Sequence, residues 1–183
     1  MINIELRDAR IEDCRSIVDL IIELAVYEKS ENEVEITSAQ LEKDGFGKRP
    51  LFHAVVAEKE AEIIGMAFYY YKYSTWKGGC LYLEDLVVRE AYRKEGVGSK
   101  LFEAVIRVAK LKKVKRMEWQ VLDWNEPAIN FYKKYNAELD PEWINRIYKI
   151  NAFTCTHFLD KCHSVIKISF NLDCFSAICE CLT

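Results

Sequence analysis

Residues 81–99 have the sequence Leu81-Tyr-Leu-Glu-Asp-Leu-Val-Val-Arg-Glu-Ala-Tyr-Arg-Lys-Glu-Gly-Val-Gly-Ser99. The first half is rich in β-branched and aromatic residues and predicts a strand over 80–88. The second half contains Arg93-x-x-Gly96-x-Gly98 and leads into a predicted helix over 98–112. Glycines in such a turn let the backbone approach a ligand and leave amides unpaired at the helix N-terminus. The stretch therefore predicts a pyrophosphate-binding turn, although ordinary turns can have the same pattern.

A second strand, polar turn and helix follow about thirty residues later. The sequence there is Val121-Leu-Asp-Trp-Asn125-Glu-Pro-Ala-Ile-Asn-Phe-Tyr132. Asn125 is a residue type that caps helices, and a proline near the first turn favours helix initiation. Tyr132 lies two turns into the predicted helix, so it would share one face with the start of that helix.

The remaining patterns predict an α/β fold with a mixed sheet. Alternating and β-branched runs predict further strands over 3–7, 52–58, 63–73, 116–122, 137–139 and 143–150. Helical periodicity predicts a first helix capped by Asp8 or Asp13, with an apolar face made of Ile17, Leu20, Ile21, Leu24 and Ala25. It also predicts helices over 38–44, ended by Gly45 and Gly47, and over 126–135.

Composition excludes several classes of protein. The 183 residues are 50% hydrophobic and 30% charged, which suits one folded domain rather than a disordered chain. A net charge of −3 argues against nucleic-acid binding. The most apolar run, Ile63–Tyr71, is too short for a membrane span, and the charged N-terminus is unlike a signal peptide. We therefore expect a cytoplasmic protein whose seven cysteines are mostly reduced thiols.

The Arg-x-x-Gly-x-Gly turn and the Asn-x-x-Ala-x-x-x-Tyr helix together resemble the GNAT acyltransferase family. Other stretches are similar to its diamine acetyltransferase branch, which includes spermidine/spermine and thialysine acetyltransferases. Those stretches are Glu23-Leu-Ala-x-Tyr-Glu28, Asp44-Gly-Phe-Gly47, Ile64-Gly-Met-Ala-Phe-Tyr-Tyr, Tyr73-Ser-Thr-Trp-Lys-Gly78 and Leu81-Tyr-Leu-Glu-Asp85. The resemblance covers roughly residues 3 to 150.

The resemblance implies a GNAT fold, in which a mixed and mostly antiparallel sheet is flanked by helices and two parallel central strands splay apart. It implies acetyl-CoA as co-substrate, a small cationic amine as acceptor, and a homodimer. We expect a GNAT domain over 1–150. Residues 151–183 do not match the family and are expected to form an atypical cysteine-rich extension.

Direct acyl transfer to an amine requires a neutral amine and a proton for the departing thiolate. A primary amine has a pKa near 10.4, so about one molecule in a thousand is neutral at pH 7. Glu84, at the end of a central strand, is the candidate base through a water molecule. Tyr132 is the candidate general acid, because a phenol stays protonated at neutral pH. Strand alternation predicts that Glu84 and its neighbour Asp85 point to opposite faces of the sheet.

The resemblance also implies residues that contact the cofactor. They are Leu86, Val87 and Val88 on the strand, Arg93, Lys94, Glu95, Gly96, Val97, Gly98 and Ser99 in the turn, and Asn125, Ala128 and Tyr135 near the second helix. Lys94 departs from the family, which commonly has glycine there. Asn136 also stands where a glycine could supply a left-handed turn, and asparagine tolerates that conformation.

Acids and aromatic residues suit a flexible cation, through ion pairs and cation–π contacts. The resemblance implies that the substrate contacts are Tyr27, Glu28, Glu84, Glu118, Trp119, Gln120, Glu142 and Trp143. Polyamine enzymes have an acid two residues before the tryptophan of the meander loop, where this chain has Ser74 before Trp76. That difference favours amines resembling amino acids.

Alternatives remain open from the sequence. Cys14 or Cys80 could be a covalent nucleophile, although neither has a histidine nearby in the sequence. The tail contains His157, His163 and five cysteines, but their spacing is not a zinc-finger pattern, and we expect no metal. The chain could also acetylate a protein lysine or N-terminus, or bind coenzyme A or a polyamine without catalysis.

Overall fold

The computed structural model describes residues 4–138 and 140. The chain divides into two compact units, Met1–Asn136 and Ala137–Thr183, and the sheet and helices described here belong to the first. The predicted domain boundary at 150, the strands over 137–139 and 143–150, and the extension over 151–183 lie at or beyond the end of the described residues. They stay predictions.

The first unit alternates strands and helices in the predicted order up to residue 133. Its strands are β1 (Glu5–Asp8), β2 (His53–Lys59), β3 (Glu62–Ser74), β4 (Gly78–Val88) and β5 (Arg116–Glu118). Its helices are α1 (Cys14–Tyr27), α2 (Ser38–Phe46), α3 (Val97–Leu111) and α4 (Glu126–Lys133). Short 3-10 turns lie at Ile11–Asp13, Glu31–Glu33 and Glu90–Tyr92.

The five described strands form one mixed sheet in the order β1-β2-β3-β4-β5. Strands β1 to β4 are antiparallel neighbours, whereas β5 is parallel to β4. A parallel neighbour needs a crossover, and α3 supplies it. The predicted mixed sheet with flanking helices is therefore confirmed.

Helices cover both faces of the sheet with separate apolar clusters. On one face, Leu101, Phe102 and Val105 of α3 join the cluster that contains Leu81 and Leu83 of β4. On the other face, residues of α1 and α2 form a second cluster with β2 and β3, including Ile17, Leu20, Leu41, Val56 and Met66. The predicted apolar face of α1 contacts this second cluster, where Ile17 and Leu20 are buried and Ile21 and Leu24 are partly buried.

Strands β3 and β4 change register in the middle of the sheet. Tyr69 lies opposite Leu83, but Phe68 lies opposite Asp85, so Glu84 has no partner in the ladder. One extra residue on one strand is a β-bulge, which bends the strand and interrupts the alternation of side chains.

The bulge places Glu84 and Asp85 on the same face of β4. Leu83 and Leu86 both contact the α3 cluster, so the two residues between them must both point to the opposite face. The prediction that Glu84 and Asp85 point to opposite faces is therefore wrong. Simple alternation assumes an unbroken ladder, and the ladder breaks at this residue.

Strands β4 and β5 separate just before the bulge. Their pairing covers only Cys80 with Arg116, Leu81 with Met117, and Tyr82 with Glu118. Strand β4 continues for six more residues to Val88. The predicted strand over 116–122 is thus too long, because residues 119–122 lie beyond the last paired residue of β5. An opening is left between the two parallel strands.

Two glycines are required by close packing rather than by turns. Gly45 lies inside α2 and is buried against the Phe52 ring, where a Cβ would overlap the ring atoms. Helix α2 continues through Gly45 to Phe46, two residues beyond the predicted end, and Gly47 is its C-cap. The prediction is therefore wrong for Gly45 and confirmed for Gly47. A Cβ at Gly65 of β3 would lie 2.8 Å from the backbone oxygen of Val87, which approaches closely from β4.

Helix α4 is shorter than predicted at its C-terminal end. It ends at Lys133, so Tyr135 lies beyond it. Asn136 follows with a φ of 55°, the left-handed conformation expected of a residue standing in place of glycine.

A charged cluster connects β1 to the start of α1. The guanidinium of Arg7 donates to both carboxylate oxygens of Asp13, at 2.6 and 2.9 Å, and to Glu58 at 2.7 Å. Asp13 also accepts the backbone N–H of Arg10 at 2.7 Å. The hydrogen bonds from Arg7 outweigh burial and hold the pKa of Asp13 below its usual range. Asp13 is 7% exposed, so its charge depends on these partners.

We expect Asp13→Asn to lower the free energy of unfolding at pH 7 by about 2–4 kcal/mol, because a buried charge-assisted contact is lost. The depressed pKa stabilises the folded state above an unfolded-state pKa of about 4 and ceases to do so as the pH falls further. The deficit should therefore shrink by pH 3. Urea unfolding measures both values, with the exposed neighbour Glu12→Gln as the control. An unchanged deficit at pH 3 would contradict this role.

Candidate active site

The opening between β4 and β5 brings Asp85 of the bulge close to Tyr132 of α4. The two side chains are near enough that the carboxylate of Asp85 raises the pKa of the Tyr132 hydroxyl. Burial is the larger cause, and together they raise the pKa of Tyr132 to about 12. A phenol with this pKa keeps its proton at all physiological pH values and can act as a proton donor.

Aromatic packing holds Tyr132 in place. Its ring centroid lies 4.9 Å from Trp119, 5.2 Å from Phe131 and 5.5 Å from Phe102. Phe102 belongs to the buried core of α3, so α4 is packed on the same cluster that supports β4. Trp119, predicted as a substrate contact, is part of this support.

Three carboxylates face one another beside the bulge. Glu28 follows the last residue of α1, and its charge and that of Glu84 both act on Asp85. Burial, and then these two charges, raise the pKa of Asp85 to about 7. Burial also raises the pKa of Glu28 and of Glu84, although a hydrogen bond with Tyr70 opposes the shift at Glu84. Such a cluster attracts a cation, because binding one relieves the repulsion among like charges.

The turn before α3 has the conformation expected of an anion-binding site. Lys94 has a φ of 67° and Gly96 a φ of 81°, both in the left-handed region. Gly96 is the N-cap of α3 and has no side chain that could accept from the amides of the first turn. Its carbonyl oxygen accepts the backbone N–H of Lys100 at 3.1 Å. The amides of Val97, Gly98 and Ser99 therefore remain available at the helix N-terminus.

The backbone of β4 borders the opening. The oxygen of Val87 points towards Gly65 on β3. Backbone groups of successive strand residues point to opposite sides, so those of Leu86 and Val88 point away from β3. The Val88 oxygen accepts the Nε–H of Arg93 at 2.9 Å, which ties the strand to the turn.

Tyr27 lies with the predicted cofactor contacts. Its hydroxyl donates to Asn125 Oδ1 at 3.2 Å, and the guanidinium of Arg93 lies 5.3 Å from its ring centroid. Asn125 also accepts the backbone N–H of Ala128 at 3.3 Å, which confirms the predicted cap of α4. Tyr27 was predicted as a substrate contact, but in this arrangement it bridges α1 and the start of α4.

Other predicted site residues are not brought together with the acids. Glu95 is exposed in the turn, and Gln120 is exposed after β5. Tyr135 donates from its hydroxyl to Glu103 Oε1 at 3.2 Å, on α3. Glu118 forms ion pairs with Lys72 and Arg116. Glu142 and Trp143 lie outside the described residues.

Sequence reasoning missed Asp85, Tyr70 and Tyr82 as residues of this face. Strand alternation predicts that at most one of Glu84 and Asp85 faces the site, and Glu84 is the candidate, so Asp85 receives no role. The two tyrosines belong to aromatic strand stretches that equally suit a buried core. The signal that could have found them is the bulge, which has no distinctive residue pattern here.

The cysteine alternative receives no support from the structure. Cys14 and Cys80 are free thiols, 1% and 0% exposed. Burial raises the pKa of Cys14 to about 11, so its thiolate is disfavoured. Over residues 4–138 and 140, no three His, Cys, Asp or Glu side chains form a group that could hold a metal ion. No helix in the same part of the chain is both long and apolar enough to cross a membrane.

Comparisons with known proteins agree with this architecture. The model of the acetyltransferase (GNAT) family matches residues 15–137. Thialysine N-epsilon-acetyltransferase of Bos taurus is 41% identical over 141 residues, which are 73% of this chain and 83% of that protein. Spermidine/spermine N(1)-acetyltransferase-like protein 1 of Homo sapiens is 36% identical over 140 residues, which are 73% of this chain and 20% of that protein.

A solved structure shows the same fold at low sequence identity. An aminoglycoside acetyltransferase from an uncultured soil metagenomic sample has a TM-score of 0.68 and 19% identity, covering 81% of this chain and 97% of that chain. The predicted resemblance to the diamine and thialysine branch is confirmed by the relatives above. From its fold, its family match and these relatives, the chain belongs to the GNAT acetyltransferase family and is an N-acetyltransferase.

Proposed function

We propose that this enzyme transfers the acetyl group of acetyl-CoA directly to a primary amine of a small cationic molecule. The observation that carries the proposal is the opening between β4 and β5, with carboxylates on one side and the Tyr132 phenol close to them. Thialysine-like amino acids and polyamines are the leading acceptors, since the relatives' names refer to thialysine and to spermidine and spermine.

The acidic group formed by Glu28, Glu84 and Asp85 supports binding of a cationic amine. The ammonium form is attracted first, because it is the abundant form at neutral pH. Glu84 then accepts a proton from the ammonium through a water molecule. Asp85 lies in the same charge cluster, and the repulsion between the two carboxylates makes it more favourable for the pair to take up a proton from the amine.

The chemical step needs no covalent enzyme intermediate. The neutral amine nitrogen attacks the thioester carbonyl carbon, a C–N bond forms, and the C–S bond breaks as the tetrahedral intermediate collapses. The departing thiolate takes the proton of the Tyr132 hydroxyl, and the excess proton on nitrogen passes to the Glu84 side. Glu84 passes the first proton on to solvent before it accepts the second. The phenol is reprotonated from solvent, so two protons leave through Glu84, one returns to Tyr132, and each turnover releases one proton net.

The proposed cofactor contacts follow the geometry of the opening. The backbone groups of Leu86 and Val88 would hold the pantetheine arm, and one amide there would polarise the thioester carbonyl. The helix N-terminus after Gly96 would bind the pyrophosphate, with Lys94 adding a positive charge. Acetyl-CoA supplies the electrophilic acyl group.

We also propose a cytoplasmic homodimer, in keeping with the branch that the sequence resembles. Light scattering of the full chain measures the mass of the assembly. A mass of about 21 kDa at micromolar concentration would indicate a monomer.

Tyr132→Phe should lower kcat about a hundredfold or more, since general-acid assistance contributes on that scale and the ring packing is retained. Release of coenzyme A measures the rate. Tyr69→Phe is the matched control, because burial also raises the pKa of Tyr69 to about 12, in the core cluster on the α3 face of the sheet. Equal loss of kcat in the two variants would contradict the assignment of Tyr132.

In the wild type we expect kcat/KM to rise with pH around pH 7, and Asp85→Asn should remove that rise. Asp85 has a raised pKa, so below pH 7 it is protonated and no longer attracts the ammonium. At pH 8 we expect about a tenfold loss of kcat/KM in this variant, with a smaller loss at pH 6. Asp19→Asn, on the exposed side of α1, is the control.

The same substitution has a second readout in stability. Between pH 4 and 7 the folded wild type binds a proton at Asp85 that the unfolded chain has lost, so its stability falls as the pH rises. The melting temperature of Asp85→Asn should lack that contribution. If both pH profiles match the wild type, Asp85 does not have this role.

Lys94→Gly should preserve the turn, because glycine adopts a φ of 67° without strain. We expect the Kd for acetyl-CoA to rise only about two- to fivefold, from loss of one exposed charge. Lys94→Ile should weaken binding further, since a β-branched residue strongly disfavours the left-handed region. Isothermal titration with coenzyme A measures both. Equal affinity in the glycine and isoleucine variants would show that the turn conformation is unimportant.

A further inference from the structure

A row of side chains leads away from the acids along the same face of the sheet. The rings of Tyr70 and Tyr82 lie side by side, with centroids 5.3 Å apart. The ammonium of Lys72 lies 5.0 Å from the Tyr82 ring centroid. These three residues come from neighbouring positions on β3 and β4, where Tyr70 is directly opposite Tyr82.

The row ends in a cluster of charges. Lys72 Nζ lies 2.5 Å from Glu118 Oε2, and Arg116 Nη2 lies 2.6 Å from Glu118 Oε1. Two cations against one carboxylate leave this end with a net charge of +1. Glu118 is therefore already neutralised, and it does not provide the free carboxylate that a polyamine would require.

The row is continuous with the acidic end of the site. Tyr70 lies close enough to Glu84 that each of the two side chains shifts the pKa of the other. The charges of Glu84 and Asp85 on one side and of Glu118 on the other all act on the Tyr82 hydroxyl. Tyr82 therefore lies between a negative end beside the bulge and a positive end at Lys72.

The separation of the two ends suits a short zwitterion. Glu84 and Tyr82 are two residues apart on β4, which is about 7 Å along a strand. The Lys72 ammonium lies 5.0 Å from the Tyr82 ring centroid. The step from Tyr82 to Glu84 along β4 therefore sets the separation between that ammonium and the Glu84 carboxylate. Six covalent bonds connect the side-chain nitrogen of a lysine-like amino acid to its carboxylate carbon, about 7 Å when extended.

We propose that Lys72 binds the carboxylate of the acceptor, so that the enzyme selects amino acids with a terminal side-chain amine over diamines of the same length. This inference rests on the proposed function and assigns the substrate class of that site. The ammonium has three N–H donors, and its contact with Glu118 is an ion pair. Another N–H is free for a carboxylate, and Tyr70 and Tyr82 offer an apolar floor for the methylene chain between the two charges.

A diamine meets the opposite situation at the same place. Its second ammonium would approach Lys72 and Arg116, whose charge exceeds that of Glu118 by one. The amino acid carries an ammonium at the same place, but its carboxylate neutralises that charge and can pair with Lys72. The diamine keeps a net positive charge there and is repelled. Discrimination therefore comes from both attraction and repulsion.

The test uses substrates that differ only in the carboxylate. Lysine is compared with cadaverine, ornithine with putrescine, and thialysine with its decarboxylated analogue, each by kcat/KM with acetyl-CoA. The variants are Lys72→Met, which keeps the length, and Lys72→Arg, which keeps the charge. Lys43→Met, on the exposed side of α2, is the control. Circular dichroism melting checks that all variants are folded.

We expect the wild type to prefer the amino acid in each pair, and Lys72→Met to lower that preference about tenfold. Lys72→Arg should retain most of the preference, and Lys43→Met all of it. An unchanged preference in Lys72→Met would overturn the role of Lys72, as would a wild type that acetylates diamines as efficiently as amino acids. In both cases the proposed function would stand. If no member of any pair is acetylated, the proposed function fails and this inference fails with it.

Discussion

The extra residue in β4 is the constraint on which the site depends. A regular antiparallel ladder would send neighbouring side chains to opposite faces, and only one carboxylate would reach the opening. Because Glu84 has no partner on β3, it and Asp85 share a face and act on each other's charge. The same irregularity lies just beyond the last residue that β4 pairs with β5. One local defect in hydrogen bonding thus accounts for both the opening and the acids that border it.

The rest of the unit stabilises this defect. Strand β3 continues its pairing on both sides of the bulge, and the aromatic cluster of α3 and α4 packs behind the opening. Phe102 is 1% exposed and contacts Trp119 and Tyr132. The ring of Tyr132, the proposed general acid, is therefore packed against the buried core. The charges of Glu84 and Glu28 raise the pKa of Asp85, and this repulsion is energetically unfavourable in the free enzyme. A bound ammonium reduces the repulsion among these carboxylates. The free enzyme is therefore less stable at the place where the substrate is proposed to bind.

Much of the fold was predictable from the sequence, because it rests on local patterns. The helices follow apolar spacing, Asn125 caps α4 as its residue type suggests, and Lys94 adopts the left-handed conformation that a glycine usually supplies. Glu84 and Tyr132 were identified by resemblance to a family. Their roles stay predictions, but the structure brings the neighbouring Asp85 and Tyr132 together.

What could not be predicted depends on register and on contacts between distant strands. A bulge changes no residue type, so Asp85 appeared to be an ordinary strand-end acid. The pairing of Glu118 with Lys72 joins β5 to β3 across β4, and no spacing in the sequence shows it. Glycine is a residue type that commonly ends helices, yet Gly45 lies inside α2, where its lack of a side chain leaves room for the Phe52 ring. In each case a tertiary contact outweighed the local preference.

The close approach at Gly65 has an evolutionary consequence. Any side chain there would push against the Val87 oxygen and displace the strand whose backbone lines the opening. A substitution at this position therefore disturbs the opening itself. Lys72 lies further along the same strand, where a change of side chain leaves that backbone contact intact. A change of acceptor through β3 is thus less costly to the fold at the Lys72 end than at the Gly65 end.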